Sequence, residues 1–326
     1  MSFSQVIGHD KSKEYFVEMI NQNKLPHAFL FEGMAGIGKS LLTFQIAKGV
    51  FCQASNSEPC NQCASCLKMN HENHPDYMEI KPDGKQIKNY QIEEFQRFLN
   101  NKAYDGGYKI VCIYQADKMN LSAQNRILKT LEEPSEKVIM FLISDKPSAL
   151  AETVRSRCQS IKLSGLSEAL IVNHLKTNFN LTEDKSLTYA KLSSGSLGKA
   201  IHYATSETFF TIQTEVMNLL KAIDQKEKTS VIKSLNFFAT EKENITDIFE
   251  YMVLWYRDLL LYKKAKAKSL LVHSNDIDFI KKISRHLSVK QIIKNIETIN
   301  WTERKLNQNG QYDLTIELML IQLLEV

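Results

Sequence analysis

The chain has 326 residues, which exceeds one average domain and suits two or three. Hydrophobic residues make up 43% and charged residues 24%, which argues against disorder, and the net charge of +4 does not by itself indicate a nucleic-acid-binding protein. Because the sequence has no apolar run of membrane-spanning length and residues 1–5 do not resemble a signal peptide, we expect a cytoplasmic protein with no membrane partner.

Strands and helices alternate up to about residue 162. The predicted strands are short apolar runs at 28–31, 76–80, 109–114 and 138–143. The predicted helices between them are amphipathic segments at 40–50, 90–100 and 120–132. This alternation predicts an α/β domain in which helices cover both faces of a parallel sheet.

After about residue 162 the pattern becomes helical. Three short helices are predicted at 167–178, 182–192 and 197–206, with a break at Gly195-Ser196. From about residue 208 to 326 the sequence shows only helical periodicity. We therefore expect a small helical domain followed by an all-α domain.

A phosphate-binding loop lies between the first predicted strand and the helix that follows it. Residues 33–40 read Gly-x4-Gly-Lys-Ser, in which glycines let backbone N–H groups surround phosphate oxygens. Lys39 is expected to reach the β- and γ-phosphates, and Ser40 to bind Mg²⁺. The predicted residues for binding ATP or ADP with Mg²⁺ are Gly33, Gly36, Gly38, Lys39, Ser40 and Leu41. The alternative is a vestigial loop that binds nothing.

The acidic residues that a hydrolytic P-loop protein needs are missing from the third predicted strand. That strand ends in Tyr114-Gln115, where an aspartate for the metal and a residue that activates water are expected. Tyrosine is a poor Mg²⁺ ligand, and glutamine cannot act as a general base. Asp117 is a weaker candidate, because the turn after the strand is expected to carry it out of line. We therefore expect little or no intrinsic ATPase activity.

Four cysteines are clustered within fifteen residues of one another: Cys52, Cys60, Cys63 and Cys66. In a reducing compartment such a cluster predicts a metal site rather than disulfides. Four sulfur ligands suit a closed tetrahedral Zn²⁺ site with a structural role. An iron–sulfur cluster or free thiols are the alternatives, and Cys112 is expected to be a buried apolar residue.

Several segments together resemble the bacterial clamp-loader ATPases of the AAA+ class. They are residues 24–31 before the loop, the four-cysteine insert, residues 125–134, Ser156-Arg157-Cys158 and Gly195-Ser196-Leu197. The resemblance implies an AAA+ P-loop core at 1–162 with a zinc-binding insert at about 50–70. It also implies a helical lid at 163–207 and a helical collar domain for oligomerisation at 208–326.

Within this family, the delta-prime type fits the sequence better than the gamma/tau motor type. The chain has Tyr114-Gln115 where the motor has an acidic pair, and Gly198 where the sensing arginine of the motor would fall. The resemblance then implies a stator in a five-subunit ring with gamma/tau and delta subunits, which loads a sliding clamp onto primed DNA. The alternative is a short motor subunit with its own ATPase activity.

The resemblance also assigns a role to Arg157. In this family the arginine of the Ser-Arg-Cys motif contacts the γ-phosphate of ATP that a neighbouring subunit holds. A guanidinium is a planar, permanently charged group that suits phosphate oxygens. Arg157 is therefore the expected arginine finger supplied in trans, and an ordinary surface arginine is the alternative.

Overall fold

The computed structural model describes residues 3–54, 58–104, 107–266, 270–273, 276–308 and 310–325. Residues 55–57 of the predicted zinc-binding insert lie outside this set. The chain divides into two compact units. Unit 1 comprises Met1–His174 with Ser194–Lys199, and unit 2 comprises Leu175–Ser193 with Ala200–Val326.

Unit 1 is built on a parallel sheet, which has five strands in the described part of the chain. The strands are β1 (Ala28–Glu32), β2 (Tyr77–Ile80), β3 (Lys109–Ile113), β4 (Val138–Ser144) and β5 (Gln159–Lys162). Their order across the sheet is β2-β3-β4-β1-β5. Every neighbouring pair is parallel, and Glu32 of β1 lies opposite Ser144 of β4. The carboxyl ends of the strands therefore share one edge of the sheet.

Helices precede, connect and follow these strands. The helices of the described residues are α1 (Asp10–Asn21), α2 (Lys39–Phe51), α3 (Ala64–Asn70), α4 (Asn89–Asn100), α5 (Leu121–Glu132), α6 (Glu152–Arg155), α7 (Glu168–Phe179), α8 (Glu183–Leu192), α9 (Leu197–Thr205), α10 (Glu207–Asp224), α11 (Lys228–Thr240), α12 (Ile245–Ala265), α13 (Ile277–His286), α14 (Val289–Asn307) and α15 (Tyr312–Glu325). None of them is both long and apolar enough to span a bilayer.

Both faces of the sheet are covered by apolar helix faces. Phe29 and Phe31 of β1 belong to a core that also contains side chains of α1 and α2. Leu30, between them, belongs to a second core with side chains of α4 and α5. This alternation follows from the two-residue period of a strand, and it confirms the predicted parallel sheet with helices on both faces.

The strand β5 was absent from the sequence prediction. Its residues are mostly exposed, so the segment lacks the apolar run that marked the other strands. It forms a strand because its backbone pairs with β1, with Leu30 opposite Ser160. Backbone pairing at the edge of a sheet does not require apolar side chains, which is why periodicity alone did not reveal it.

The regular secondary structure of unit 2 is all helical in the described part of the chain. Its core is apolar, and Trp255 of α12 is among the largest fully buried side chains. Helix α12 packs against α10, α13 and α14. Asp258 of α12 is also buried, and it accepts hydrogen bonds from the backbone N–H groups of Val272 and His273. The helical C-terminal region predicted from the sequence is therefore confirmed.

Candidate functional site

The loop between β1 and α2 has the backbone conformation that its glycines allow. Gly36 and Gly38 have φ values of 76° and 102°, in the left-handed region that favours glycine. Gly38 is the N-cap of α2, so the free N–H groups of the first turn of the helix are directed to the loop. A helix N-terminus preceded by such a loop is suited to phosphate oxygens.

Lys39 is buried, with 4% of its surface exposed, and its amine is saturated with acceptors. Nζ donates to the carbonyl oxygens of Gly33 at 2.6 Å and Met34 at 2.8 Å. Its third acceptor is Oδ1 of Asp145, at 2.5 Å. An ammonium group has three protons to donate, so each of them has a partner within the protein.

The remaining predicted nucleotide-binding residues lie next to Lys39. Ser40 is exposed in the first turn of α2, where its hydroxyl is accessible to a ligand. Leu41 is 40% exposed beside it. The loop glycines, Lys39 and Ser40 therefore lie at one place at the carboxyl edge of the sheet, which is where parallel sheets bind ligands.

The outer side of the loop is held by the start of α9. The hydroxyl of Ser196 donates to the carbonyl of Ala35 at 2.8 Å, and the N–H of Gly198 donates to the carbonyl of Gly36 at 2.8 Å. A Cβ atom built on Gly198 would lie 2.9 Å from backbone atoms of Gly36. Residue 198, where the sensing arginine of a motor subunit would fall, therefore has no room for a side chain in this arrangement.

A polar cluster that contains an ion pair lies at the end of β3, where the acidic residue of a hydrolytic enzyme is expected. The hydroxyl of Tyr114 donates to Oε1 of Glu79 at 2.8 Å, and the hydroxyl of Tyr77 donates to the same oxygen at 2.9 Å. Lys81 pairs with the other carboxylate oxygen at 2.6 Å. Burial opposes ionisation of Glu79, but the hydrogen bonds from Lys81, Tyr114 and Tyr77 outweigh it and lower its pKa.

Asp117 does not replace the missing acid beside Lys39. It lies in a short 3-10 turn after β3, and its carboxylate accepts a hydrogen bond from the hydroxyl of Ser144 at 2.7 Å. The same hydroxyl accepts the N–H of Lys146 at 3.1 Å. Asp117 therefore braces the end of β4.

The groups around the loop fit one half of a nucleotide-hydrolysing site. Phosphates suit the loop glycines, the helix N-terminus and Lys39. The hydroxyl of Ser40 is suited to bind Mg²⁺. Tyr114, with its hydroxyl bound to Glu79, offers no carboxylate for a metal. The arrangement can hold phosphate and lacks the acid that hydrolysis needs at this strand.

The four clustered cysteines, which lie between α2 and β2 in the sequence, come together in space. The sulfur atoms of Cys52, Cys60, Cys63 and Cys66 all lie within 4.8 Å of one another. Those of Cys60 and Cys66 are 4.0 Å apart. A tetrahedral site with metal–sulfur distances of about 2.3 Å needs sulfur atoms about 3.8 Å apart, so this group can hold a metal ion.

The pKa values of two of these cysteines are shifted in opposite directions. The N–H groups of Gln62 and Cys63 point to the sulfur of Cys60 at 3.5 and 3.3 Å. They lower the pKa of Cys60 to about 6, which favours the thiolate. Burial raises the pKa of the Cys66 thiol to about 12, an effect that a bound cation would offset.

The cysteine cluster is fastened to the helix that follows the P-loop. The buried amine of Lys48 in α2 donates to the side-chain oxygens of Asn61 and Asn70. His74 stacks on Phe51, with ring centroids 4.0 Å apart, and its Nδ1 accepts the N–H of Asp76. His74 therefore packs against the last residue of α2.

Arg157 follows α6 and directly precedes the partly buried Cys158. Its NH2 group lies 2.7 Å from Oε1 of Glu132, and NH1 donates to the carbonyl of Thr153 at 2.9 Å. Its side chain is 36% exposed. Burial raises the pKa of Cys158 to about 12, so this cysteine is a packed thiol rather than a reactive one.

Sequence reasoning missed three acidic residues of these sites. Asp145 holds Lys39, Glu79 holds Tyr114, and Glu132 holds Arg157. A signal for Asp145 was present, since it directly follows the buried strand β4 and so belongs to the same sheet edge as the loop. The other two pairs join distant segments, and no local pattern marks them.

Comparison with known proteins identifies the family. The family model described as DNA polymerase III, delta subunit, matches residues 8–167, and the one described as its C terminal matches residues 208–325. DNA polymerase III subunit delta' of Bacillus subtilis is 28% identical over 94% of this chain and 93% of that protein. Subunit delta' of Escherichia coli is 30% identical over 64% of each chain.

Motor-type relatives are also similar. DNA polymerase III subunit tau of Bacillus subtilis is 22% identical over 98% of this chain and 61% of that protein. Among solved structures, a gamma subunit-related protein of Thermotoga maritima is 16% identical with a TM-score of 0.47, covering 96% of this chain and 98% of that one. With its AAA+ P-loop core and helical C-terminal region, the chain belongs to the delta' family of bacterial DNA polymerase III clamp-loader subunits.

Proposed function

We propose that the chain is the stator of a DNA polymerase III clamp loader. In this proposal it binds nucleotide without hydrolysing it and supplies Arg157 to a neighbouring motor subunit. It joins a five-subunit ring with gamma/tau and delta subunits, which places a sliding clamp on primed DNA. Similarity to subunits named delta' and tau supports assembly into such a complex.

The observation that carries this proposal is the cluster at the end of β3. Tyr114 donates to Glu79, which in turn pairs with Lys81, so the Glu79 carboxylate beside the end of β3 is already neutralised by protein groups. A Mg²⁺ ion therefore finds no free acid at the strand that normally supplies one. This supports a subunit that assists hydrolysis elsewhere over a short motor subunit.

The setting of Arg157 is compatible with action on a neighbour. The guanidinium is partly exposed, and its partner Glu132 is 49% exposed. Such an exposed ion pair contributes roughly 0–1 kcal/mol. A phosphate group presented by another subunit can therefore replace Glu132 at little cost, and a planar guanidinium is suited to its oxygens.

The chain has three domains in this proposal. Residues 1–162 form the P-loop domain, 163–207 a lid and 208–326 a collar that joins the ring. The four cysteines hold one structural Zn²⁺ ion, because a closed set of four thiolates leaves no position for substrate. Contacts with primed DNA are to phosphates, which position the duplex without reading its sequence.

Reconstitution of the complex tests the role of Arg157. We would measure ATPase activity and clamp loading with purified motor, delta and clamp partners, using Arg157→Ala and the matched control Arg155→Ala. An arginine finger accelerates its own site by about 10³–10⁵. We expect Arg157→Ala to remove the contribution of the one ATP site that this arginine serves to the total ATPase rate. The complex should still assemble. An unchanged rate with normal clamp loading would refute the finger.

The ATPase activity of the isolated chain distinguishes the proposed stator from the alternative, a motor subunit. We expect no ATPase activity above background for the chain alone. Steady-state hydrolysis that Lys39→Ala abolishes would instead support a working motor.

A further inference from the structure

The carboxylate of Asp145 binds the amine of Lys39, which the P-loop motif provides for phosphate. Lys39 is 4% exposed, whereas the side chain of Asp145 is 34% exposed and accessible from solvent. The two remaining acceptors of the amine are carbonyls of the loop itself. Since all three protons are in use, a phosphate can gain this lysine only by displacing Asp145 or a loop carbonyl.

The position of Asp145 is fixed by the sheet and by its neighbours. It follows β4, which pairs with β1 so that Ser144 lies opposite Glu32, the last residue before the loop. Asp117 and the N–H of Lys146 both bind the Ser144 hydroxyl and hold the chain on either side of Asp145. The carboxylate is therefore directed to Lys39 by a rigid edge, not by a free loop.

We propose that Asp145 is a specificity-determining residue of the nucleotide site, which competes with phosphate for Lys39 and disfavours the triphosphate more than the diphosphate. This inference rests on the proposed binding of nucleotide at the loop. Lys39 is expected to reach the β- and γ-phosphates. A fixed carboxylate beside it repels each phosphate charge, and the γ-phosphate adds charge that the diphosphate lacks.

A magnesium-binding role for Asp145 is the competing explanation, because Tyr114 and Gln115 provide no acid. The geometry favours competition, since the carboxylate is bound directly to the lysine rather than aimed at the exposed hydroxyl of Ser40. The two roles predict opposite effects of removing the charge. Competition predicts tighter binding of nucleotide, and metal ligation predicts weaker, magnesium-dependent binding.

The test measures binding of ribose-labelled fluorescent ATP and ADP to the isolated full chain, with and without Mg²⁺. We expect Asp145→Asn and Asp145→Ala to lower the Kd for the ATP probe about tenfold, equivalent to about 1.4 kcal/mol, and the Kd for the ADP probe by less. Lys39→Ala, combined with Asp145→Asn, should abolish the gain. Thermal melting of each variant without nucleotide verifies that it is folded.

Asp83→Asn is the matched control. It removes the same charge from an exposed pair with Lys88, and no change in either Kd is expected. Unchanged or weaker binding of the ATP probe by the Asp145 variants would overturn the proposal, and so would an absence of binding by every variant up to millimolar probe. These measurements use the chain alone, so their outcome does not depend on the ATPase result for Arg157 in the reconstituted complex.

Discussion

Nζ of Lys39 lies 2.5 Å from Oδ1 of Asp145, so the lysine of the phosphate-binding motif forms an ion pair with a carboxylate of its own chain. The motif thus provides the residues for phosphate binding, and its neighbours determine how available they are. Ser196 and Gly198 also donate hydrogen bonds to loop carbonyls, those of Ala35 and Gly36. The loop is an ordered part of unit 1 on both of its sides.

The cysteine cluster predicts one Zn²⁺ ion per chain. We expect a metal count near one by atomic emission, and a fall in Tm on treatment with a strong chelator, because the metal joins four otherwise separate thiols. Cys63→Ser should lower both the metal content and the Tm. Cys158→Ala, outside the cluster, is the control and should retain the metal. A count near zero in protein that was never exposed to chelator would contradict the assignment.

The contact between Gly198 and Gly36 predicts that even a methyl group is costly at residue 198. A Cβ there would lie 2.9 Å from backbone atoms, which cannot rotate away as a side chain can. We expect Gly198→Ala to destabilise the folded chain by about 1–3 kcal/mol, measured by denaturant unfolding. Gly107→Ala is the control, because a Cβ at that glycine meets no atom of the described residues within 4 Å. Equal stability of the two variants would show that the loop and α9 do not pack as described.

The cluster of Glu79, Lys81 and Tyr114 predicts a specific dependence of stability on pH. Burial opposes ionisation of Glu79, but its hydrogen bonds lower its pKa below the ordinary value of about 4.3 for glutamate. The stabilisation from this group is therefore present above the unfolded pKa and is lost as the pH falls through the lower folded pKa. Lys81→Met should lower the Tm at about pH 7, and the difference from wild type should close below about pH 4.

The control for this experiment is Lys102→Met, which removes an exposed lysine elsewhere in unit 1. Its difference from wild type should not follow the titration of Glu79. A gap between wild type and Lys81→Met that stays constant from neutral to acidic pH would exclude the proposed role of the pair.

The sequence alone predicted the frame of the sheet, because buried parallel strands are apolar throughout. The runs that became β1, β3 and β4 were visible for this reason, and each ends within one residue of its predicted end. The strand β5 was missed because its side chains are exposed and only its pairing with β1 makes it a strand.

The chemistry of the sites divides in the same way. The sequence by itself determined the phosphate loop, the cysteine cluster and the missing acid at Tyr114, because each depends on residue types at fixed short spacing. Only the tertiary structure decided that Asp145 binds Lys39 and that Glu132 binds Arg157. Each of these contacts joins residues far apart in the chain, and the direction of a side chain across a sheet edge depends on register and packing that no local pattern encodes.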